Sequence, residues 1–524
     1  MCVTPVYFRF LTLSPKEVGE RGPRWARREW GEKMEPWLGV SWALGILLLL
    51  LLLCWKKDHP RNLPPGPPSW PLLGSLLHLK GPSLLHSLLK LREQYGNVFT
   101  IYVGSQRAVV LCGYQTVKAA LVDQAEEFGA RAELPLVEKT SKGHGIFFSN
   151  GENWRQIRRF ALTTLRNFGM GKRSIEERIQ EEIKFLMEEF RKTQGSPFDP
   201  TFVLRRSVSN IICSVVFGER FQYDNSEFQA LLYLFQQNAR RVDTIWVQLY
   251  GLFPQVLKHL PGPHNRLFEN YEEQKRYAAR MVQKHEDTLD PASPRDYIDT
   301  FLIRMQQDSG NPSTIFHQEN LIVSTLDLFF AGTETVSNTL RYGLLILLKY
   351  PEITERIQEE IDQIVGPNRA PAMEDRLKMP YTDAVIHEMQ RFIDIIPLGV
   401  PHSVTCDTEF AGYTIPKGTF VFLLLNSVLH DPTQFEAPET FDPGHFLDDK
   451  GKFKKAAAFI PFSAGKRSCP GEGLARMELF LYLSTMLQKF ALTSPIASEE
   501  IDITPEYSGF GKAPCLYQLC LIPR

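Results

Sequence analysis

A single cysteine between two glycines, Cys469 in Phe462-Ser463-Ala464-Gly465-Lys466-Arg467-Ser468-Cys469-Pro470-Gly471, stands just before an apolar helical pattern that begins near Leu474. A metal-ligating thiolate needs backbone N–H groups close to its sulfur and little bulk around it, which Gly465 and Gly471 permit. A buried structural thiol in a glycine-rich turn is the bland alternative. A second stretch, Ala331-Gly332-Thr333-Glu334-Thr335, places an acid and a hydroxyl after small residues. Small residues let a helix open beside a ligand, although a lone mid-helix Thr ordinarily bonds back to a carbonyl of the preceding turn. A third, Glu388-Met389-Gln390-Arg391, spaces opposite charges by three, on one helical face.

The elements that must position these residues are mostly helical. From about Glu319 to about Lys349 the pattern is long, strongly apolar and free of proline, and Pro351 ends it. A helix of about thirty residues crosses an entire domain. Strand-like pieces are fewer: Val98–Val103, Arg107–Leu111 and Phe420–Leu425. The expected fold is mainly α with a small β-sheet subdomain and one long central helix.

The whole chain has 524 residues, 59 Lys plus Arg against 60 Asp plus Glu, and a net charge of −1, so no global basic field attracts nucleic acid. The eight cysteines are dispersed, without a disulfide scaffold or a paired zinc motif, and the bulk of the chain reads as facing a reducing compartment. Trp37 to Trp55 is a 19-residue run without a charge, followed by Lys56 and Lys57. At about 1.5 Å per residue it spans a hydrocarbon core of about 30 Å, and no cleavage site follows, so it reads as a retained transmembrane helix. The leader before it carries basic residues too, which leaves the positive-inside rule ambiguous; a start at Met34 would place the body in the cytosol, with the first 33 residues an optional extension. A mitochondrial leader is the alternative, against which Glu17, Glu20, Glu29 and Glu32 argue. Pro64-Pro65-Gly66-Pro67-Pro68 then reads as a stiff spacer. The expected division is a leader at 1–36, an anchor at 37–55, a hinge at 56–74 and a catalytic domain at 75–524.

The cysteine stretch resembles the ligand loop of cytochromes P-450, Phe-x-x-Gly-x-Arg-x-Cys-x-Gly, at every defined position, and the resemblance extends from about Leu63 to Arg524, closest to the vertebrate microsomal family-2 enzymes that oxidise xenobiotics. It implies a haem-thiolate monooxygenase: haem b with Cys469 as axial ligand, Phe462 and Gly471 in the loop, and Trp154, Arg158, Arg467, Arg131 and His402 as anchors of the haem carboxylates. By the same resemblance Thr335 serves oxygen activation and Glu334 relays protons. Glu388 and Arg391 belong to a charge triad completed here by His445, where the family often has Arg, which makes the network pH-sensitive. The implied partners are NADPH-cytochrome P-450 reductase, with cytochrome b5 as a helper, at the endoplasmic reticulum membrane; no dinucleotide fingerprint lies in the chain itself. Arg155, Arg159, Lys452, Lys454, Lys455 and Lys466 are the expected docking patch. Pocket positions include Phe147, Phe148, Phe329, Phe330, Ile395, Ile396, Leu398, Val400 and Phe510, which favour an apolar, partly aromatic xenobiotic, with fatty acids or steroids as further classes. A haem-thiolate isomerase and a ligand-sensing haem protein are the alternatives; the intact Glu334-Thr335 pair argues against the first.

Overall fold

The structure is a computed structural model that describes residue 45 and residues 62–80, 83–169, 173–508 and 511–524. The leader and all of the Trp37–Trp55 run except Gly45 lie outside the described residues, and among the described residues no helix is long and apolar enough to cross a membrane. The body is mainly helical with small sheets. Its largest sheet has five strands, β1 (Val98–Val103), β2 (Gln106–Leu111), β3 (Ala130–Arg131), β4 (His402–Ser403) and β5 (Phe420–Leu423), in the order β1-β2-β5-β4-β3. β2 and β5 run parallel, and the other pairs are antiparallel. The proline-rich segment is laid along this sheet: Thr100 N donates to Pro65 O (2.8 Å), Ser75 N donates to Tyr102 O (2.6 Å), and Pro64 and Pro67 are buried.

Six helices build the site: α1 (Gly151–Asn167), α2 (Arg173–Lys192), α3 (Thr201–Val216), α4 (Gln318–Lys349), α5 (Pro380–Ile393) and α6 (Glu472–Lys489). The 32-residue α4 is the long central helix. Its start is capped by the His317 side chain, which accepts from Asn320 N, and the following helix takes Pro351 at its first position, where a missing N–H costs nothing. From Val336 to Leu348 every residue except Asn338 is buried, as expected of a helix surrounded by others rather than laid on a surface. α4 approaches α3 closely at Gly332, where a β-carbon would sit 2.9 Å from Ile212 Cγ1.

The charge triad closes the cysteine side of the body. Arg391 and Glu388 on α5 form a bidentate pair with both bonds at 2.7 Å and neither side chain exposed. Arg391 also donates to the carbonyls of Leu429, Pro438 and Thr440, so the pair fastens α5 to a segment 38 to 49 residues downstream. His445 Nδ1 lies 3.1 Å from Glu388 Oε2, and its Nε2 lies 2.5 Å from Glu436 O. Both ring nitrogens face acceptors, which is the arrangement of an imidazolium. Burial works against the charge, but the hydrogen bond and charge of Glu388 outweigh it and raise the His445 pKa above 6.5. A folded-state value above the unfolded one gives stability that is complete below the unfolded pKa and is lost as pH rises through the folded one. The melting temperature of the wild type is therefore expected to fall relative to His445→Arg as pH rises above about 6.5. Parallel melting curves would show that this histidine does not carry the charge.

Candidate active site

The loop before α6 turns on Gly465, at φ +68°, where a β-carbon would lie 1.8 Å from Leu121 O. The turn brings Cys469 N back onto Phe462 O (2.9 Å) and leaves Gly471 as the N-cap of α6, so that the N–H groups of Gly471 and Glu472 point at the sulfur. The thiol is open to a cavity and enclosed by protein elsewhere. Burial raises its pKa, while those two N–H groups and the Arg158 charge pull it the other way. A sulfur so placed ionises when a cation ligates it. The six described cysteines are free.

Cations ring the same cavity. Arg131 and His402 are directly opposed residues of β3 and β4, so strand register alone puts both on one face. α1 supplies Trp154 and Arg158, and the cysteine loop supplies Arg467, whose guanidinium stacks 3.7 Å from the Trp154 ring. Burial lowers the Arg131 pKa to about 9, with the Arg158 charge adding to it, and lowers that of Arg467 to about 8, with Arg131 and Arg158 adding to it. Burial and the charges of Arg131 and Arg467 hold His402 well below its ordinary value; its Nδ1 lies 2.7 Å from Phe128 O, which leaves Nε2 for the cavity. The protein bonds of Arg131, Arg158 and Arg467 go to carbonyls and to the Asn150 amide, and among the described residues no carboxylate pairs with them. Trp154 Nε1 and Arg467 Nη1 are buried with no partner there.

Uncompensated buried cations and orphaned donors call for an anion. A thiol facing the same space calls for a metal. Haem, with a ligand-seeking iron and two carboxylates, meets both demands, and the residues present fit it.

Nine of the ten sequence-derived site residues line this one cavity: Arg131, Trp154, Arg158, Thr335, His402, Phe462, Arg467, Cys469 and Gly471. Glu334 is not among the lining residues. Arg205 of α3 holds its carboxylate at 3.0 Å, with both side chains almost fully buried. α4 runs unbroken through Ala331–Thr335, where Thr335 Oγ1 donates to Ala331 O (2.8 Å) and, one turn on, Thr339 Oγ1 donates to Thr335 O (2.8 Å). Of the expected pocket residues, Phe147, Phe330, Ile395, Ile396 and Val400 line the cavity, whereas Phe148, Phe329 and Leu398 do not. Phe329 packs instead against Phe217 and Phe235. Phe510 lies outside the described residues.

Sequence reasoning missed Asp327 and Glu478, both on the cavity wall. Asp327 Oδ2 accepts from the N–H groups of Ile146 (2.8 Å) and Phe147 (3.0 Å), tying the preceding loop to α4, and burial raises its pKa to about 7 against those two bonds. Two turns of helix separate it from Thr335, a spacing that would have put it on the same face.

A mainly helical body with a cavity-facing thiol at a helix N-terminus and a carboxylate-seeking ring of cations defines a haem-thiolate enzyme. Residues 64–521 match the cytochrome P-450 family model. The chain is 56% identical to cytochrome P-450 2G1 of Oryctolagus cuniculus over 483 residues, 92% of this chain and 98% of that protein. It is 54% identical to cytochrome P-450 2B4 of Oryctolagus cuniculus (93% and 98%) and 54% identical to cytochrome P-450 2F3 of Capra hircus (93% and 99%). The chain belongs to the cytochrome P-450 family, and it is a monooxygenase that uses haem with cysteine-thiolate ligation, O2 and electrons from a redox partner.

Gly465→Ala forces a side chain into the Leu121 carbonyl and is expected to destabilise the loop by about 2–4 kcal/mol, read as a lowered melting temperature and reduced haem content. Trp154→Phe keeps the ring over Arg467 but removes an orphaned donor. It is expected to weaken haem binding by about 1–2 kcal/mol, measured as faster haem loss to a scavenger protein.

Proposed function

We propose that this enzyme inserts oxygen into apolar, partly aromatic xenobiotics. The observation that carries this reading is the wall shared with Cys469 and Thr335, where Phe147, Phe330, Ile395, Ile396 and Val400 offer apolar contact and Asp327 and Glu478 supply the carboxyls. Such a surface selects by shape and apolar area. When bound, haem with a thiolate ligand supplies the activation of O2 needed to attack unactivated C–H bonds. The chain's own residues do the rest. Cys469 would ligate the iron through its thiolate, held by the loop of Phe462 and Gly471. Arg131, Trp154, Arg158, His402 and Arg467 would hold the carboxylates. Thr335 turns its hydroxyl from Ala331 O toward the cavity to donate a hydrogen bond, and Glu334 reaches the same space only by leaving Arg205.

In this reading the electrons come from NADPH-cytochrome P-450 reductase, with cytochrome b5 as a second donor. Arg159, Lys452, Lys454 and Lys455 are exposed and make no ion pair among the described residues, whereas Arg155 and Lys466 are both drawn to Glu126. The anchor is 37–55, the spacer 56–74 and the catalytic domain 75–524, cytosolic at the endoplasmic reticulum membrane. Exposed Trp70, Leu72 and Leu73 on one segment and Ile245, Trp246 and Val256 on another support a membrane-facing side, and Gly104 abuts both Leu72 O and Leu252.

The deciding experiment is the reduced carbon monoxide difference spectrum of wild type beside Cys469→Ala and Cys469→His, followed by a substrate screen with reductase. A far-red Soret band lost in both variants, and NADPH-driven oxidation of apolar aromatics, is expected; no band in haem-loaded wild type refutes the ligand, and no turnover favours a ligand sensor. Reversing charge at Lys454 and Lys455 is expected to slow reduction severalfold at low ionic strength, with the difference disappearing near 1 M salt, where screening acts over about 3 Å.

A further inference from the structure

The segment that follows α5 is fastened by two residues far downstream of it. Asp394, the C-cap of α5, holds the left-handed conformation (φ +48°), and its neighbours Ile393, Ile395 and Ile396 all line the cavity that Cys469 faces. An antiparallel pair near the C-terminus, β6 (Pro505–Ser508) and β7 (Gly511–Pro514), supplies the first fastening. Lys512 of β7 grips the segment twice: its backbone N–H donates to Ile395 O (2.8 Å), and its Nζ lies 3.4 Å from Asp394 Oδ2. Asn426 grips it twice more, with Nδ2 donating to the same Oδ2 (2.8 Å) and the backbone N–H donating to Pro397 O (3.0 Å).

The side chains of Lys512 and Asp394 are only 7% and 2% exposed, yet neither residue lines the cavity. The other charged and titratable groups near the carboxyl are occupied or neutral. Arg391, on α5 itself, is committed to Glu388. His430, whose Nδ1 lies 3.2 Å from Asn426 Nδ2, is held at about 3 by burial and by the charges of Lys512 and Arg391. Burial raises the Asp394 carboxyl to about 6, against the pull of Lys512, Asn426 and Arg391. A buried ion pair adds little net stability, because desolvation offsets the attraction, but loss of one partner leaves a charge that must be neutralised or moved.

We propose that the Lys512–Asp394 pair is a specificity-setting clasp: by holding Ile395 and Ile396 at a fixed depth in the cavity wall, it decides which C–H bond of a substrate is presented for oxidation. The inference rests on the monooxygenase reaction and on the reading of this cavity as a site for apolar aromatics. Both members act through the two isoleucines and are positioning residues. Asp and Asn are the non-glycine residues that most readily take the left-handed conformation, so Asp394→Asn keeps the backbone and removes the charge. Lys512→Met likewise keeps the N–H that bonds Ile395 O.

The test uses the haem-loaded full chain. On the substrate-free protein, amide hydrogen exchange of peptides spanning 394–400 is expected to quicken in both variants while the carbon monoxide spectrum is kept. With reductase and propylbenzene as the probe, the ratio of benzylic to chain-end alcohol is expected to change about three- to tenfold in each, the scale of coupling between contacting residues. The double variant should show the change of one single variant rather than the sum, because either loss alone opens the clasp. As pH falls through about 6, the wild-type ratio should move toward that of Asp394→Asn, since the protonated carboxyl no longer pairs with Lys512. Asp327 titrates in both proteins, so the difference between them isolates Asp394. Wild-type ratios and exchange in both single variants, additive changes in the double variant, or a difference that does not vary with pH each overturn the proposal. Asp394→Asn decides the matter even if Lys512→Met fails to take up haem. Wild type that leaves propylbenzene unoxidised would refute the substrate reading instead, and the exchange measurement, which needs no substrate, would still decide the clasp.

Discussion

Three guanidinium groups and a thiol are enclosed around one cavity, and among the described residues no carboxylate pairs with the arginines. Charges taken out of water are costly unless something pairs with them, and an anion entering the cavity would supply that partner. Much of the scaffold can be understood as holding that incomplete arrangement together. The β3–β4 register fixes Arg131 and His402, α1 brings Trp154 under Arg467, and the glycine turn at 465 aims Cys469 at the same space.

The central helix divides two kinds of chemistry. On its cavity side, Thr335 and Thr339 bond back into the helix and keep their hydroxyls within reach of whatever fills the space. On its α3 side, Glu334 meets Arg205, and Thr333 accepts from Ser209 at 3.1 Å. Adjacent residues on a helix point about 100° apart, so an acid and a hydroxyl next to each other in sequence need not share a surface. The ion pair leaves Arg205 Nε, Arg205 Nη1 and Glu334 Oε1 buried without partners among the described residues, an arrangement with less to lose on rearranging than a fully satisfied pair.

The bidentate Glu388–Arg391 pair does different work. With neither partner exposed, removing one would leave an uncompensated charge in the interior, at a cost of about 3–5 kcal/mol. Its further bonds to three carbonyls make it a clasp across distant parts of the chain rather than a local helix pair. His445 adds a third member whose contribution depends on keeping its proton.

By itself the sequence determined the cysteine loop, the long central helix, the strands near the front and the identities of nine cavity residues. Those rest on local rules: glycine where the backbone turns, proline where a helix stops, apolar period through a core helix. Tertiary structure alone decided the rest. Glu334 adjoins Thr335 in sequence, and the direction of its side chain is set by Arg205, 129 residues away. Phe329 turned into the core because Phe217 and Phe235 come from other helices. Glu478 was invisible as a single acid in an apolar helix, and only packing places it on the wall of a cavity that no linear spacing describes. Burial and partner choice are properties of packing, and packing joins residues that the sequence keeps far apart.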